Sequence, residues 1–351
     1  MRNLFKLLTF GLSLALLATS CSSDDDSNQT QPLGDYENGI IVSAEGGPSS
    51  ISFISNDLSI AQNNVYSTVN EEELGVYLQS IGFNGNQAFI VTDNTNAIII
   101  VNRYTFEKEG SITTGLATPR YIDFANGKAY VSNWGDGFDP NDDFIAVVDL
   151  SSNTVETTID VSEGPERILA ENGKVYVSHK GGYGSNNVIS VIDTANNEVS
   201  TISVGDVPDE MFVGDSGDLF VLSEGKAAWT GDETVASISK IDMSDNSVVQ
   251  TLTFTNGVHP SQMYYDNGAV YYILNNEVFE MNEAATSLPT TSIVNLGTIT
   301  AYGMAVNNGN LYITDAKDFA SLGNLLVYDV NTGSLIDTFE VGVNPSKIYF
   351  N

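Results

Sequence analysis

Apolar residues in this chain fall in short runs, and nearly every run is bounded by Gly, Asn, Asp or Ser. The stretch 165–205 shows one complete unit. Its runs at 167–170, 174–178, 188–193 and 199–204 are rich in Val, Ile and Tyr. Between them lie the turns Glu171-Asn172-Gly173 and Ala195-Asn196-Asn197 and a glycine-rich loop. Branched and aromatic runs bounded by turn formers predict four β-strands and no helix of normal length.

The unit repeats. Its second run returns as Ala88-Phe89-Ile90-Val91, Ala129-Tyr130-Val131-Ser132, Leu219-Phe220-Val221-Leu222, Val270-Tyr271-Tyr272-Ile273 and Leu311-Tyr312-Ile313-Thr314. A proline opens most units: Pro119, Pro165, Pro208, Pro260 and Pro345. Four strands per period of roughly 40 to 50 residues is the signature of a β-propeller. The count predicts an all-β, seven-bladed ring with four antiparallel strands per blade. Residues 39–42 already read as a second strand, and 344–351 read as a first strand with no second strand after it. The C-terminal strand is therefore expected to pair into the first blade and close the ring, which removes open sheet edges. An open array or a β-sandwich leaves both irregularities unexplained.

The start of the chain reads as an address. Residues 1–20 form a secretory signal, with Arg2 and Lys6 ahead of an apolar core at 7–18 too short to span a bilayer. Cys21, the single cysteine, follows Leu17-Ala18-Thr19-Ser20 and resembles the lipidated cysteine of a bacterial lipobox. The run Ser22-Ser23-Asp24-Asp25-Asp26 resembles the surface-export signal of Bacteroidetes lipoproteins. Residues 21–37 then form a lipidated, acidic tether, and 38–351 the propeller. The resemblance implies an outer-membrane location, lipid-anchored and facing the exterior. Two or more acyl chains suffice for stable anchoring.

Charge narrows the partners. The formal net charge is −32, from 45 acidic and 13 basic residues, and Arg2 and Lys6 belong to the signal. Phosphate backbones are repelled by such a surface, so nucleic acid is not an expected partner.

Propeller topology separates the loops into two faces. The turns on one face are short, such as Ala125-Asn126-Gly127 and Asn307-Asn308-Gly309. On the other, the second-to-third connections at 133–143, 179–187, 223–233 and 316–324 are long and irregular, and function concentrates on such loops. They carry Trp134, Tyr183, Trp229 and Phe319 among polar Asn133, His179 and Asp315. Aromatic area with scattered donors suits a large, flat, partly apolar ligand or a protein partner. Channel-facing positions on the first strands add Gln79, Tyr121, Arg167, Glu210, Gln262, Gly303 and Lys347; of these, Arg167 and Gln262 are the candidate ligand contacts. Asp136, Asp139, Asn141, Asp142 and Asp143 crowd one loop. Hard cations take several oxygens, so this is either a Ca²⁺ site or a solvated acidic loop; no cofactor is otherwise required. With two histidines and one cysteine, few ligands exist for zinc, haem or copper, and no catalytic triad is legible. A non-enzymatic role is expected.

Tyr130-Val131-Ser132-Asn133, Tyr176-Val177-Ser178-His179 and Tyr312-Ile313-Thr314-Asp315, with Asp149, Asp193 and Asp329 on third strands, resemble the YVTN-type, YncE-like seven-bladed propellers. With the lipobox and acidic run, the chain is similar to the Bacteroidetes surface lipoproteins that bind vitamin B12. That resemblance implies capture of cobalamin or another corrinoid and its transfer to a TonB-dependent outer-membrane transporter. An adhesion or protein-interaction propeller is the other reading.

Overall fold

The computed structural model describes residues 32–351. The expected leader, the expected acylation site Cys21 and most of the expected tether lie outside them. The described chain folds as seven sheets, each of four antiparallel strands. In the unit read first from sequence, the strands are Pro165–Glu171, Lys174–His179, Val188–Asp193 and Val199–Ser203. Burial follows position. Second and third strands, such as Lys174–His179 and Val188–Asp193, are buried almost throughout, whereas the outer strand Val199–Ser203 buries only Ile202. Central strands covered on both faces need near-continuous apolar runs, and edge strands need only one apolar side.

Neighbouring blades pack face to face. Ile100 and Val91 of the second blade meet Val131 and Val148 of the third in one cluster. Aromatics fill the gaps between blades, with Phe89 against Phe124 at 4.9 Å between ring centres. Two helical turns interrupt the pattern. The six-residue helix Val65–Asn70 covers the first blade, whose outer strand is only Ala61–Gln62, and a 3₁₀ turn spans Ala228–Thr230.

The ring closes as its sequence requires. The last strand, Pro345–Phe350, pairs antiparallel with Gly39–Ala44, from Ile40 opposite Phe350 to Ala44 opposite Pro345. Asn351 locks this seam. Its Nδ2 donates to the carbonyls of Tyr36 at 2.6 Å and Arg103 at 2.8 Å, while its Oδ1 accepts from Arg103 Nε at 2.6 Å. Tyr349 Oη accepts the Ile81 N–H at 2.9 Å, which ties the closing strand to the second blade. Because Gly39 lies beside Asn351, the chain joins the ring on the short-turn face, opposite the long loops.

A charged mouth and an aromatic shelf on the long-loop face

Every inner strand carries an irregularity at its first residues. In the third blade Pro119 pairs with Asn133 and Ile122 with Val131, so Arg120 and Tyr121 together face Ser132. Glu166 and Arg167 do the same in the fourth blade, and Asp209 and Glu210 in the fifth. Single extra residues fall at Gln79, Gln262 and Tyr302, and Ser346 is passed over beside Lys347. A bulge frees residues from the ladder and re-aims their side chains. Here it delivers them to the channel mouth, a cavity of about 190 Å³. Serines on the second strands satisfy the freed backbone: the Tyr121 N–H donates to Ser132 Oγ at 3.0 Å, and the Arg167 N–H to Ser178 Oγ at 3.1 Å.

The mouth concentrates charge. Arg120, Arg167, Lys180 and Lys347 line it, four of the eleven basic residues that follow residue 20. Arg120 forms a fork on Glu166 at 2.9 and 3.1 Å and reaches Asp93 at 3.1 Å. Arg167 bridges Asp209 at 2.8 Å and Glu210 at 2.7 Å. Lys180 meets Asp209 at 2.6 Å and Glu224 at 3.4 Å. Buried charges need this pairing, because desolvation otherwise drives them neutral. Burial alone would raise the Asp209 carboxyl, but Lys180 and Arg167 hold it well below the usual range. Glu210 goes the other way: burial and then the neighbouring Asp209 charge push it up to about 7. Burial and the Arg167 charge bring the Lys347 ammonium down to about 8.

Trp134 joins this mouth to a shelf. Its ring lies under the Arg120 guanidinium at 3.9 Å, and its Nε1 donates to the Pro165 carbonyl at 3.0 Å. Beyond it Tyr183 and Phe138 stack at 4.6 Å, although they are 69% and 83% exposed. Trp134, Tyr183, Phe138 and Tyr77 line a depression of about 320 Å³ beside the mouth.

The expected site residues thus divide. Arg167, Gln262, Trp134 and Tyr183 come together at the mouth and shelf. Phe319 packs edge-on against the mouth residue Tyr302 at 5.4 Å, half exposed. Trp229 projects from its 3₁₀ turn at 89% exposure, and neither cavity includes it. Asn133, His179 and Asp315 are buried at the ends of second strands, where they brace loop bases. Asn133 Oδ1 accepts the Ala117 N–H at 3.0 Å, and Asp315 Oδ1 accepts the Thr300 N–H at 2.9 Å. His179 bonds the Glu163 carbonyl and Ser190 Oγ, and burial lowers its imidazole to about 4. Of the polar channel positions read from sequence, Gln79, Tyr121, Arg167, Glu210, Gln262 and Lys347 do line the channel. At Gly303 there is no side chain, and Tyr302 occupies its place in the wall.

The carboxylates of the acidic loop accept backbone N–H groups, three of them within the loop. Asp142 accepts the Asp136 N–H at 2.9 Å, Asp136 the Phe138 N–H at 3.2 Å, Asp139 the Asn141 N–H at 3.1 Å, and Asp143 the Gly164 N–H at 3.0 Å. Among the described residues, three such ligand oxygens converge within 4.8 Å only at Asp209, Glu210 and Glu224, and each of the three is already paired with Arg167 or Lys180.

Fold and site together define a seven-bladed propeller with a bulge-built polar mouth. Residues 38–341 match the family described as a domain of unknown function, DUF5074, and the chain belongs to that family. Proteins of curated function yield no match. Solved structures share the fold at low identity. The extracellular domain of the one-component system BT4673 from B. thetaiotaomicron superposes with a TM-score of 0.62 at 14% identity, over 83% of this chain and 39% of that one. BamB from Moraxella catarrhalis gives 0.57 at 14% identity, over 91% and 89% of the two chains. The dihydro-heme d1 dehydrogenase NirN gives 0.58 at 11% identity, over 91% and 77%.

Proposed function

We propose that this protein is a lipid-anchored capture propeller of the outer cell surface. It holds a large ligand of mixed polarity over the long-loop mouth and passes it to a TonB-dependent outer-membrane transporter. Cobalamin or another corrinoid is the proposed ligand. The observation that carries the reading is the adjacency of mouth and shelf. Trp134 links a dense set of paired charges to exposed, stacked aromatics, and no short-turn loop takes part. A corrin ring is broad and partly apolar, with amides at its rim, and needs both kinds of surface. Orientation supports the same reading, since the chain joins the ring on the face opposite the mouth. An anchor at Cys21 would leave the mouth facing outward. The proposed role is binding, and His179 is no part of it, since its ring is buried between the Glu163 carbonyl and Ser190 Oγ.

The test is calorimetric titration of cyanocobalamin. Removing a buried aromatic anchor costs about 2 kcal/mol, roughly thirtyfold in affinity. Trp134→Ala is expected to lose that much, and Asn126→Ala on the opposite face almost nothing. Absence of heat with any corrinoid at high micromolar concentration would remove the transport reading. The adhesion module would then be the better account, and the protruding Trp229 is the observation that favours it.

A further inference from the structure

Four aromatic rings line the depression beside the mouth, a space of about 320 Å³. Tyr183 stands at 69° to Trp134 with ring centres 5.9 Å apart, and Phe138 stacks on Tyr183 at 4.6 Å. Tyr77 forms another part of the wall, half exposed. Rings left in water forgo the stabilisation of burial, and here three are held out together. The backbone fixes them in place. Gly137 lets the Tyr183 ring close onto the loop, since a Cβ there would stand 2.8 Å from it. Asp136 Oδ1 holds the Phe138 N–H at 3.2 Å. Tyr77 has a φ of 60°, in the left-handed region that bulky side chains avoid. Its N–H donates to the Glu45 carbonyl at 3.2 Å, and its own carbonyl accepts the Asp93 N–H at 3.0 Å. Strain of this kind persists where the surroundings impose it, and it gathers at binding sites.

The charge around these rings has one sign. Among the residues that line the depression, the acidic and basic side chains are Asp93 and Asp136 alone. Arg120 lies behind Asp93 and over the Trp134 ring at 3.9 Å, where Glu166 and Asp93 both pair with it. Asp142 adds another carboxylate at the Asp136 N–H. The face of an aromatic ring attracts a cation, and Trp134 with Arg120 is an instance within this wall. A primary ammonium is strongly hydrated and would leave N–H groups unmet among rings. A quaternary ammonium has no N–H group, and its methyl shell is apolar. It gains from ring area and from carboxylates at once.

We propose that this depression binds a trimethylammonium head group of the choline type, with Trp134, Tyr183, Phe138 and Tyr77 around its methyl groups and Asp136 supplying the opposite charge. Sets of aromatic rings are a recurrent means of recognising quaternary ammonium groups. A volume of about 320 Å³ lies at the small end of ligand pockets and suits a head group of this size. The site uses the shelf and needs nothing from the charged mouth, so it does not rest on the corrinoid reading.

The experiment is calorimetric titration of choline into the purified protein, beside 3,3-dimethylbutan-1-ol, which has the same shape with carbon in place of nitrogen and no charge. Choline is expected to bind saturably with a Kd of about 1 mM, ordinary for so few atoms. The alcohol is expected to bind about tenfold more weakly or worse, because the attraction of several rings for charge is gone. Asp136→Asn keeps an acceptor for the Phe138 N–H but removes the charge. That variant, Phe138→Ala at a side chain 83% exposed, and Tyr77→Asn, which tolerates a left-handed backbone, should each weaken choline about threefold or more. Vesicles of dioleoylphosphatidylcholine carry the same head group on a lipid. Cosedimentation that free choline competes away would name a lipid as the source, and choline heat without cosedimentation a free solute; either result keeps the site. The proposal is overturned if choline gives no saturable heat, if the alcohol binds as tightly, or if all three variants bind choline like wild type. Binding of glucose in place of choline would also overturn it, since the shelf would then read hydroxyl groups. Cyanocobalamin, which bears no net charge, is titrated into wild type and Asp136→Asn alongside; equal heats in the two, or none in either, report on the corrinoid reading separately.

Discussion

His179 shows how a residue type misleads when its direction is unknown. A histidine at the base of a long loop reads as a ligand donor, yet its ring is fully buried between the Glu163 carbonyl and Ser190 Oγ. Burial holds its pKa near 4 in the folded chain. The unfolded chain takes up this proton near 6.5, so His179 leaves stability intact above that value and subtracts from it as pH falls toward 4. The full effect is about 3 kcal/mol. His179→Asn should therefore flatten the dependence of Tm on pH between about 6.5 and 4, whatever its effect at neutral pH. An unchanged slope would mean that the imidazole is not kept neutral. Asn133 and Asp315 occupy the corresponding strand end and brace their loops in the same way. Side chains alternate along a strand, so one residue of register decides whether a polar group faces solvent or the core. That step was not legible. The mouth was legible by half. Counting from each proline found Tyr121, Arg167 and Glu210, but a count that assumes regular pairing skips Arg120, Glu166 and Asp209. Their signal was present in Pro119-Arg120-Tyr121, Pro165-Glu166-Arg167 and Pro208-Asp209-Glu210, where consecutive polar or charged residues open an otherwise apolar strand.

Strands and loops were read more reliably, because turn chemistry and burial act together on each of them. The predicted run 188–193 is the strand Val188–Asp193, and 174–178 extends by one residue to His179. The acidic loop at 133–143 was the ambiguous element. Its carboxylates accept backbone N–H groups within the loop and from Gly164, as Asp and Asn commonly do in shaping turns. The expected outcome is that millimolar calcium, at roughly the affinity of weak extracellular sites, leaves Tm unchanged. A rise of several degrees that Asp139→Ala with Asp142→Ala removes would restore this loop as a cation site.

At the scale of the ring, closure is the feature on which the other six blades depend. Its evidence in sequence was arithmetic, one strand short at 39 and one spare at 344, and the pairing of Pro345–Phe350 with Gly39–Ala44 accounts for both. Removing residues 344–351 exposes the edge of Gly39–Ala44 and should yield aggregation or loss of cooperative unfolding. A truncated chain that melts like the intact one would contradict a load on this seam. Asn351→Ala is the milder version. It deletes three side-chain hydrogen bonds, each worth about 0.5–1.5 kcal/mol, and should lower Tm by several degrees.

The boundary between the mouth and the channel beneath it has a thermodynamic consequence of its own. Tyr121, Arg167, Gln262 and Lys347 line both the mouth and the roughly 460 Å³ of channel below it, and the Arg167 guanidinium is held over the Tyr121 ring at 4.5 Å. An occupant on either side therefore leans on the same four side chains. Two ligands that share such a partition are coupled unless their effects on it cancel, and the coupling is reciprocal: whatever factor the upper one applies to the affinity of the lower, the lower returns to the upper. A change of rotamer at Gln262 or of protonation at Lys347 would be felt on both sides of that boundary, and the ring would then carry free energy between two occupants as well as hold loops in place.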